Sequence, residues 1–213
     1  MICVSIGKNK VNDVIIALND IDFAEVRLDL IDDLSFKGLE KIIDKNNNLT
    51  ITFRPDVDRI DEETRISYLL KAIEYGVHYI DIEIETEEEI IRQIIDRAKN
   101  FDTKIIVSYH NYDKTPSLKN LYEIIEICRN YGADFIKIAT VVNTVRDSIT
   151  HMEILEKEKN IIAVGMGKMG KITRLMSLFM GSPFTYASLS DEEKTADGQL
   201  DYKKLRIILD NLQ

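Results

Sequence analysis

Along the chain, short runs rich in β-branched and aromatic residues alternate with longer stretches whose apolar positions recur at helical spacing. The short runs fall at 2–6 (ICVSI), 23–29 (FAEVRLD), 49–54 (LTITFR), 78–84 (HYIDIEI), 103–110 (TKIIVSYH), 134–139 (DFIKIA), 160–166 (NIIAVGM) and 184–188 (FTYAS). The helical stretches fall between and after them, at 10–19, 34–45, 61–75, 86–99, 117–131, 143–156, 169–180 and 201–211. Thr86 ahead of Glu87-Glu88-Glu89 predicts a capped helix start with acidic residues in its first turn. Pro116-Ser117 predicts another start, and Gly76 and Gly132 stand where helices would end. Units of this kind, repeating roughly every 25 residues, argue for a parallel sheet. No linker or low-complexity segment interrupts them, so residues 1–213 read as one domain. The one long polar stretch, 190–198 (SDEEKTADG), follows the last strand and reads as a surface loop or a lid.

Strand alternation separates two faces with different chemistry. In 78–85, Ile80, Ile82 and Ile84 share one face while Asp81, Glu83 and Glu85 share the other. In 23–29, Ala24, Val26 and Leu28 oppose Glu25, Arg27 and Asp29. Arg54 ends its run in phase with Thr52, Ser108 shares a face with His110, and Lys137 opposes Ile136 and Ile138. A parallel strand covered by helices on both faces is apolar throughout, so charges on one face require a polar interior. An open doubly wound sheet offers a crevice mainly at one switch point. Here the polar groups come from many strands, which predicts a closed (β/α)8 TIM barrel with its chemistry at the C-terminal strand ends.

Composition narrows the function. Apolar residues make up 45% of the chain, enough for a large core, and the net charge of -9 gives no electrostatic case for nucleic acid or an anionic membrane. Three histidines and two widely separated cysteines do not form a zinc pattern, though a Cys3–Cys128 disulfide stays open. The first seven residues read as a strand rather than a signal peptide, and no apolar stretch reaches membrane-spanning length. A soluble, cytoplasmic protein is expected.

Lys137 is the candidate of most interest. An amine facing an apolar interior loses solvation of its charged form, and the neutral amine condenses with carbonyl carbon to form a Schiff base. Its plain alternative is an edge-strand lysine reaching water. His110, ending the neighbouring strand, suits proton transfer near neutral pH, or simply caps backbone. His78 and His151 fit structural roles better. Gly165-Met166-Gly167-Lys168-Met169-Gly170 leads from a strand into a helix and is a weak anion-binding signal; Arg174 beyond it offers a carboxylate clamp or a solvent-facing helix charge.

Taken in order, Glu25-Val26-Arg27-Leu28-Asp29, Thr52-Phe53-Arg54, Tyr79-Ile80-Asp81-Ile82-Glu83, Ser108-Tyr109-His110-Asn111-Tyr112 with Thr115-Pro116, Phe135-Ile136-Lys137-Ile138-Ala139, Met166-Gly167-Lys168-Met169-Gly170 with Arg174, and Ala196-Asp197-Gly198-Gln199 resemble the type I 3-dehydroquinate dehydratases. The resemblance implies dehydration of 3-dehydroquinate to 3-dehydroshikimate in the shikimate pathway, without metal or organic cofactor, in a homodimer. It implies that Lys137 forms the imine and that His110 is the general acid/base. Glu25, Arg27 and Arg54 would meet the ring hydroxyls, and Arg174 and Gln199 the carboxylate. Ser5 and Met166 complete the substrate-binding set. Thr195 stands where the family usually has a lid serine. Asp58 stands where it often has a glutamate beside the catalytic histidine, which leaves Asp58 or Glu83 to orient His110.

Two other readings stay open at the level of sequence. One is a barrel aldolase or sugar-phosphate lyase that uses the same lysine and binds phosphate at the glycines. The other is a non-catalytic barrel that binds a metabolite or a partner.

Overall fold

A computed structural model describes residues 1–56 and 58–212. Its elements are β1 (Ile2–Ile6), α1 (Val11–Ala17), β2 (Ala24–Arg27), α2 (Phe36–Lys45), β3 (Leu49–Thr52), α3 (Glu62–Glu74), β4 (Tyr79–Glu83), α4 (Glu88–Ala98), β5 (Lys104–Asn111), α5 (Leu118–Tyr131), β6 (Phe135–Val141), α6 (Val145–Lys157), β7 (Ile161–Met166), α7 (Gly167–Phe179), β8 (Thr185–Ser188) and α8 (Tyr202–Asp210). The strands form one 8-stranded parallel sheet in the order β7-β6-β5-β4-β3-β2-β1-β8. The expected barrel is therefore present, but it is nearly rather than fully closed. Strands β7 and β8 lie side by side with no ladder between them among the described residues.

Helix starts are fixed by short polar side chains. Ser35, Asp61, Ser117 and Asp201 accept amide hydrogens at the starts of α2, α3, α5 and α8, and Thr144 with Asp147 forms a capping box on α6. Helix α4 departs from expectation. It begins after Glu87 with no side-chain cap, and the Thr86 hydroxyl accepts from Arg65 instead. Gly132 ends α5 at φ 95°, and Gly76 follows α3 at φ 80°, as their positions in the sequence suggest.

The aliphatic face of each strand packs under the helices. Ile80, Ile82, Val107 and Ile138 are fully buried there, at about 1.5–3 kcal/mol per side chain. The opposite face fills the lumen in two zones. Toward the N-terminal end Phe23, Tyr79, Phe184 and Tyr186 interlock, with Phe23 and Phe184 edge to face at 4.9 Å. Above this apolar plug lie the charged side chains. Cys3 is buried in the lower lumen and Cys128 on α5, and both are free thiols.

Strands β2 and β3 end earlier than the hydrophobic pattern predicts. Leu28–Leu30 wind into a 3-10 turn, and the Arg54 amide donates to the Asp29 carboxylate at 3.3 Å instead of to a ladder carbonyl. Helix α7 begins two residues earlier than expected. A Cβ on Gly170 would lie 2.4 Å from the carbonyl carbon of Gly165, so these two glycines let the helix pack directly on its strand.

Candidate active site

Register brings the polar side chains into one ring. Glu25 pairs with Ser5 and Thr50, Thr52 with Asp81, and Ser108 with both Glu83 and Lys137. A cavity of about 270 Å³ opens above them, lined by Glu25, Arg27, Arg54, His110, Lys137, Met166, Arg174, Thr195 and Gln199 among others. A larger cleft of about 480 Å³ lies elsewhere, lined by β1, α7 and α8 residues; it is mostly apolar and contains none of the lumen charges.

The setting of Lys137 differs from the apolar shell that its strand suggests. Its Nζ lies 2.8 Å from Asp81 Oδ2, 3.4 Å from Glu25 Oε1 and 4.3 Å from the centre of the Tyr186 ring. Alternation on β2 and β4 aims both carboxylates at the same axis as the lysine. Burial alone would raise the pKa of Asp81, but Arg54 and Lys137 overcome it and hold the carboxyl well below the usual range. Glu25 is likewise held down by Lys137 against its burial, with help from Ser5, whose hydroxyl donates to Oε2 at 2.5 Å. Thr52 donates to its other oxygen at 3.0 Å. Ser5 thus lies beneath the cavity, holding Glu25 rather than lining the space.

Arg54 is the hub of the other side. It reaches Ser108 Oγ at 3.1 Å, Asp81 and Glu83 at 3.2 Å each, and His110 Nε2 at 3.4 Å. A guanidinium only donates, so Nε2 accepts and the neutral imidazole carries its proton on Nδ1. Nδ1 is buried with no hydrogen-bond partner among the described residues, 3.6 Å from Glu83 Oε1. Burial, reinforced by Arg54 and Lys137, pushes the pKa of His110 well below its ordinary value. Tyr112 stacks on the imidazole, with the ring planes 13° apart. Arg27 is held in a two-point contact by Asp29, at 2.9 and 2.6 Å.

Asp58 is not brought to this group. It is exposed in the turn after Arg54, its amide on Asp56, and it does not line the cavity. Glu83, from the strand beside His110, occupies the place beside the imidazole.

Arg174 projects from α7 into the open seam of the barrel and is 1% exposed. Its Nε donates to Gly165 O on β7 at 3.0 Å, and its Nη1 lies 3.4 Å from Tyr186 O on β8. Its Nη2 lies 3.4 Å from Asp197 O in the β8–α8 loop. Burial draws its pKa down to about 10, which leaves it charged near neutrality. No carboxylate within salt-bridge distance neutralises it among the described residues.

The β8–α8 loop is seated over the cavity. Gln199 accepts the Thr195 amide at 2.9 Å and donates to the Thr195 hydroxyl at 3.0 Å, and that hydroxyl lies 2.6 Å from Ser5. Ion pairs of Lys8 with Glu193 and of Lys204 with Asp191 tie the loop down at its start. Sequence reasoning did not single out Tyr186 and Tyr112 for the site. The lumen phase of 184–188 carried the signal for Tyr186; Tyr112 lies beyond its strand, and only the family motif at 108–112 included it.

The type I 3-dehydroquinase family model matches residues 2–213. The chain belongs to the type I 3-dehydroquinase family. The chain is 34% identical to the 3-dehydroquinate dehydratase of Methanococcus vannielii over 220 residues, covering 100% of both chains. It is 25% identical to the type I 3-dehydroquinate dehydratase of Clostridium difficile, solved with covalently modified comenic acid. That structure superposes with a TM-score of 0.87, covering 99% of this chain and 91% of that one. The 3-hexulose-6-phosphate synthase of Salmonella typhimurium shares only the fold with this chain, at 11% identity, a TM-score of 0.62 and 98% coverage of each chain.

Proposed function

We propose that the chain dehydrates 3-dehydroquinate to 3-dehydroshikimate through a Schiff base on Lys137, with His110 as the proton carrier. The family supplies the reaction. The observation that carries the mechanism is the shared lumen, in which Lys137, His110 and an uncompensated Arg174 line one small cavity.

The substrate carboxylate would settle on Arg174, whose buried charge lacks an anion. Ring hydroxyls would meet Glu25, Arg27 and Arg54. The Lys137 amine in its neutral form would add to the C3 ketone. Loss of water from the carbinolamine leaves an iminium, which withdraws electrons from C2. His110 is neutral near pH 7 because of its depressed pKa, and would take the C2 proton to give an enamine. The electron pair would then expel the C1 hydroxyl as water, with the proton from His110. Hydrolysis of the imine would restore the lysine and release the enone.

The seam favours a carboxylate over a phosphate ligand. The Gly165–Gly170 spacing serves helix-to-strand contact, and the Gly198 backbone packs on Gly167, where a Cβ would meet the Gly167 oxygen at 2.5 Å. The start of α7 is thereby covered by the chain's own loop.

No described helix is long and apolar enough to cross a membrane. A second copy of the chain would suit the exposed apolar side chains Val145, Ile149, Ile172 and Met176 on α6 and α7. Sedimentation would test that homodimer. The function is tested by borohydride reduction in the presence of 3-dehydroquinate, intact mass and peptide mapping. One reduced adduct on the peptide containing Lys137 is expected; an adduct elsewhere, or none during turnover, would overturn the mechanism.

A further inference from the structure

We propose that Arg65, on the outer helix α3, is a positioning residue that fixes the spacing between Arg54 and Glu83 on either side of His110. The inference rests on the active-site reading above and extends it to a side chain outside the lumen.

Arg65 is among the largest side chains fully buried in the protein. Its Nη1 donates to the carbonyl of Phe53 at 2.8 Å, the peptide immediately before Arg54. Its Nη2 donates to the Thr86 hydroxyl at 3.2 Å, and the Thr86 amide bonds the Glu83 carbonyl at 3.1 Å. On the lumen side the two neighbouring strand ends meet again, since Arg54 Nη1 lies 3.2 Å from Glu83 Oε1. The contacts close a ring: Arg54, Phe53 carbonyl, Arg65, Thr86, Glu83 and back to Arg54. Glu62 takes the Nε hydrogen at 2.8 Å and an Nη2 hydrogen at 2.6 Å, on the solvent side.

The ring matters because β3 has already ended. Thr52 is its last paired residue, so no ladder bond holds Phe53 and Arg54 at the level where Arg54 works. A planar fork with donors on two edges spans a carbonyl and a hydroxyl at once; a lysine ammonium cannot keep both at the same spacing. His110 is faced by Arg54 from the β3 end, Asp81 and Glu83 from β4, Lys137 from β6, Arg27 from β2 and Tyr112 from its own strand end. Of these, Arg54 is the cation in direct contact, and its grip depends on Arg65.

The test is a direct histidine titration by NMR on the whole chain, which has only three histidines, with kcat and kcat/KM profiles alongside. In the wild type His110 stays neutral until well below pH 6.5. In Arg65→Lys and Thr86→Val, with Arg54 less firmly placed, its pKa is expected to rise by about half a unit or more, and the acid limb of kcat/KM to rise with it. Arg65→Lys is also expected to lower kcat about tenfold or more. Thr86→Val removes one arm while Glu62 still satisfies Nη2, so it decides the matter if Arg65→Lys does not fold. A folded Thr86→Val or Arg65→Lys protein with an unshifted His110 overturns the proposal. The titration needs no turnover, so a wild type inactive on 3-dehydroquinate would count against the function and not against Arg65.

Discussion

Asp81 Oδ2 stands 2.8 Å from Lys137 Nζ, deep in the lumen, and the same carboxylate is also held by Arg54 at 3.2 Å. The lysine therefore rests as one member of a charged set in which Asp81, Glu25, Arg54 and Glu83 compensate one another. Breaking such a set by removing one partner leaves a buried charge exposed to its neighbours and typically costs about 3–5 kcal/mol.

Lys137→Ala is expected to abolish turnover and the borohydride-trapped adduct together, since among the described residues no other lysine lines the cavity. Lys137→Met, closer in volume, controls for the loss of packing. Intact mass spectrometry reads the adduct, and trapping in either folded variant would show that the imine forms elsewhere.

His110→Ala is expected to retain imine formation while turnover falls by about 10²–10⁴. Single-turnover trapping, compared with steady-state kcat, separates the two steps. Because the pKa of His110 is depressed, kcat/KM of the wild type should stay level as pH falls through 6.5 and decline only well below it. A decline centred at 6.5 or above would contradict this assignment.

Arg174→Ala is expected to raise KM by about 10- to 100-fold with a much smaller effect on kcat, as for a contact made equally in ground and transition states. The same variant leaves Gly165 O and Tyr186 O without their side-chain donor, so a lower Tm should accompany it. An unchanged KM would remove the carboxylate clamp.

His151 gives a stability prediction. It is fully buried on α6, its Nε2 lies 2.8 Å from the Thr140 hydroxyl, and burial pushes its pKa down to about 4. The unfolded chain binds this proton near pH 6.5, so the neutral ring favours the fold fully above that value. The contribution is lost progressively as pH falls from 6.5 through 4, up to about 3 kcal/mol. His151→Gln keeps a side-chain amide near Thr140 and does not titrate. Denaturant midpoints at pH 7 and pH 5 should therefore drop less in the variant than in the wild type.

The period-two alternation of β2, β4 and β6 made the lumen side chains legible, because a parallel strand covered by helices cannot hide charges on its outer face. It placed Glu25, Glu83 and Lys137 before any coordinates. It did not say that Asp81 and Glu25 would surround the lysine, since that depends on register between strands far apart in sequence. Asp58 was suggested only by the family resemblance, and the turn carries it into solvent. Thr86 looked like a helix cap because its competitor for that hydroxyl, Arg65, is 21 residues away. His151 on an amphipathic pattern gave no sign of its burial, which a hydroxyl from β6 makes tolerable. The missing ladder between β7 and β8 was invisible to a pattern that treats every unit as equivalent.

One guanidinium joins the first and last edges of the sheet and also lines the cavity. When an anion claims its hydrogens, the carbonyls on either edge must share the donor or turn to solvent. Occupancy of the cavity is thereby felt as slackening or tightening along a slit running down the wall, and hydrogen exchange of the amides bordering that slit is where it would first be seen.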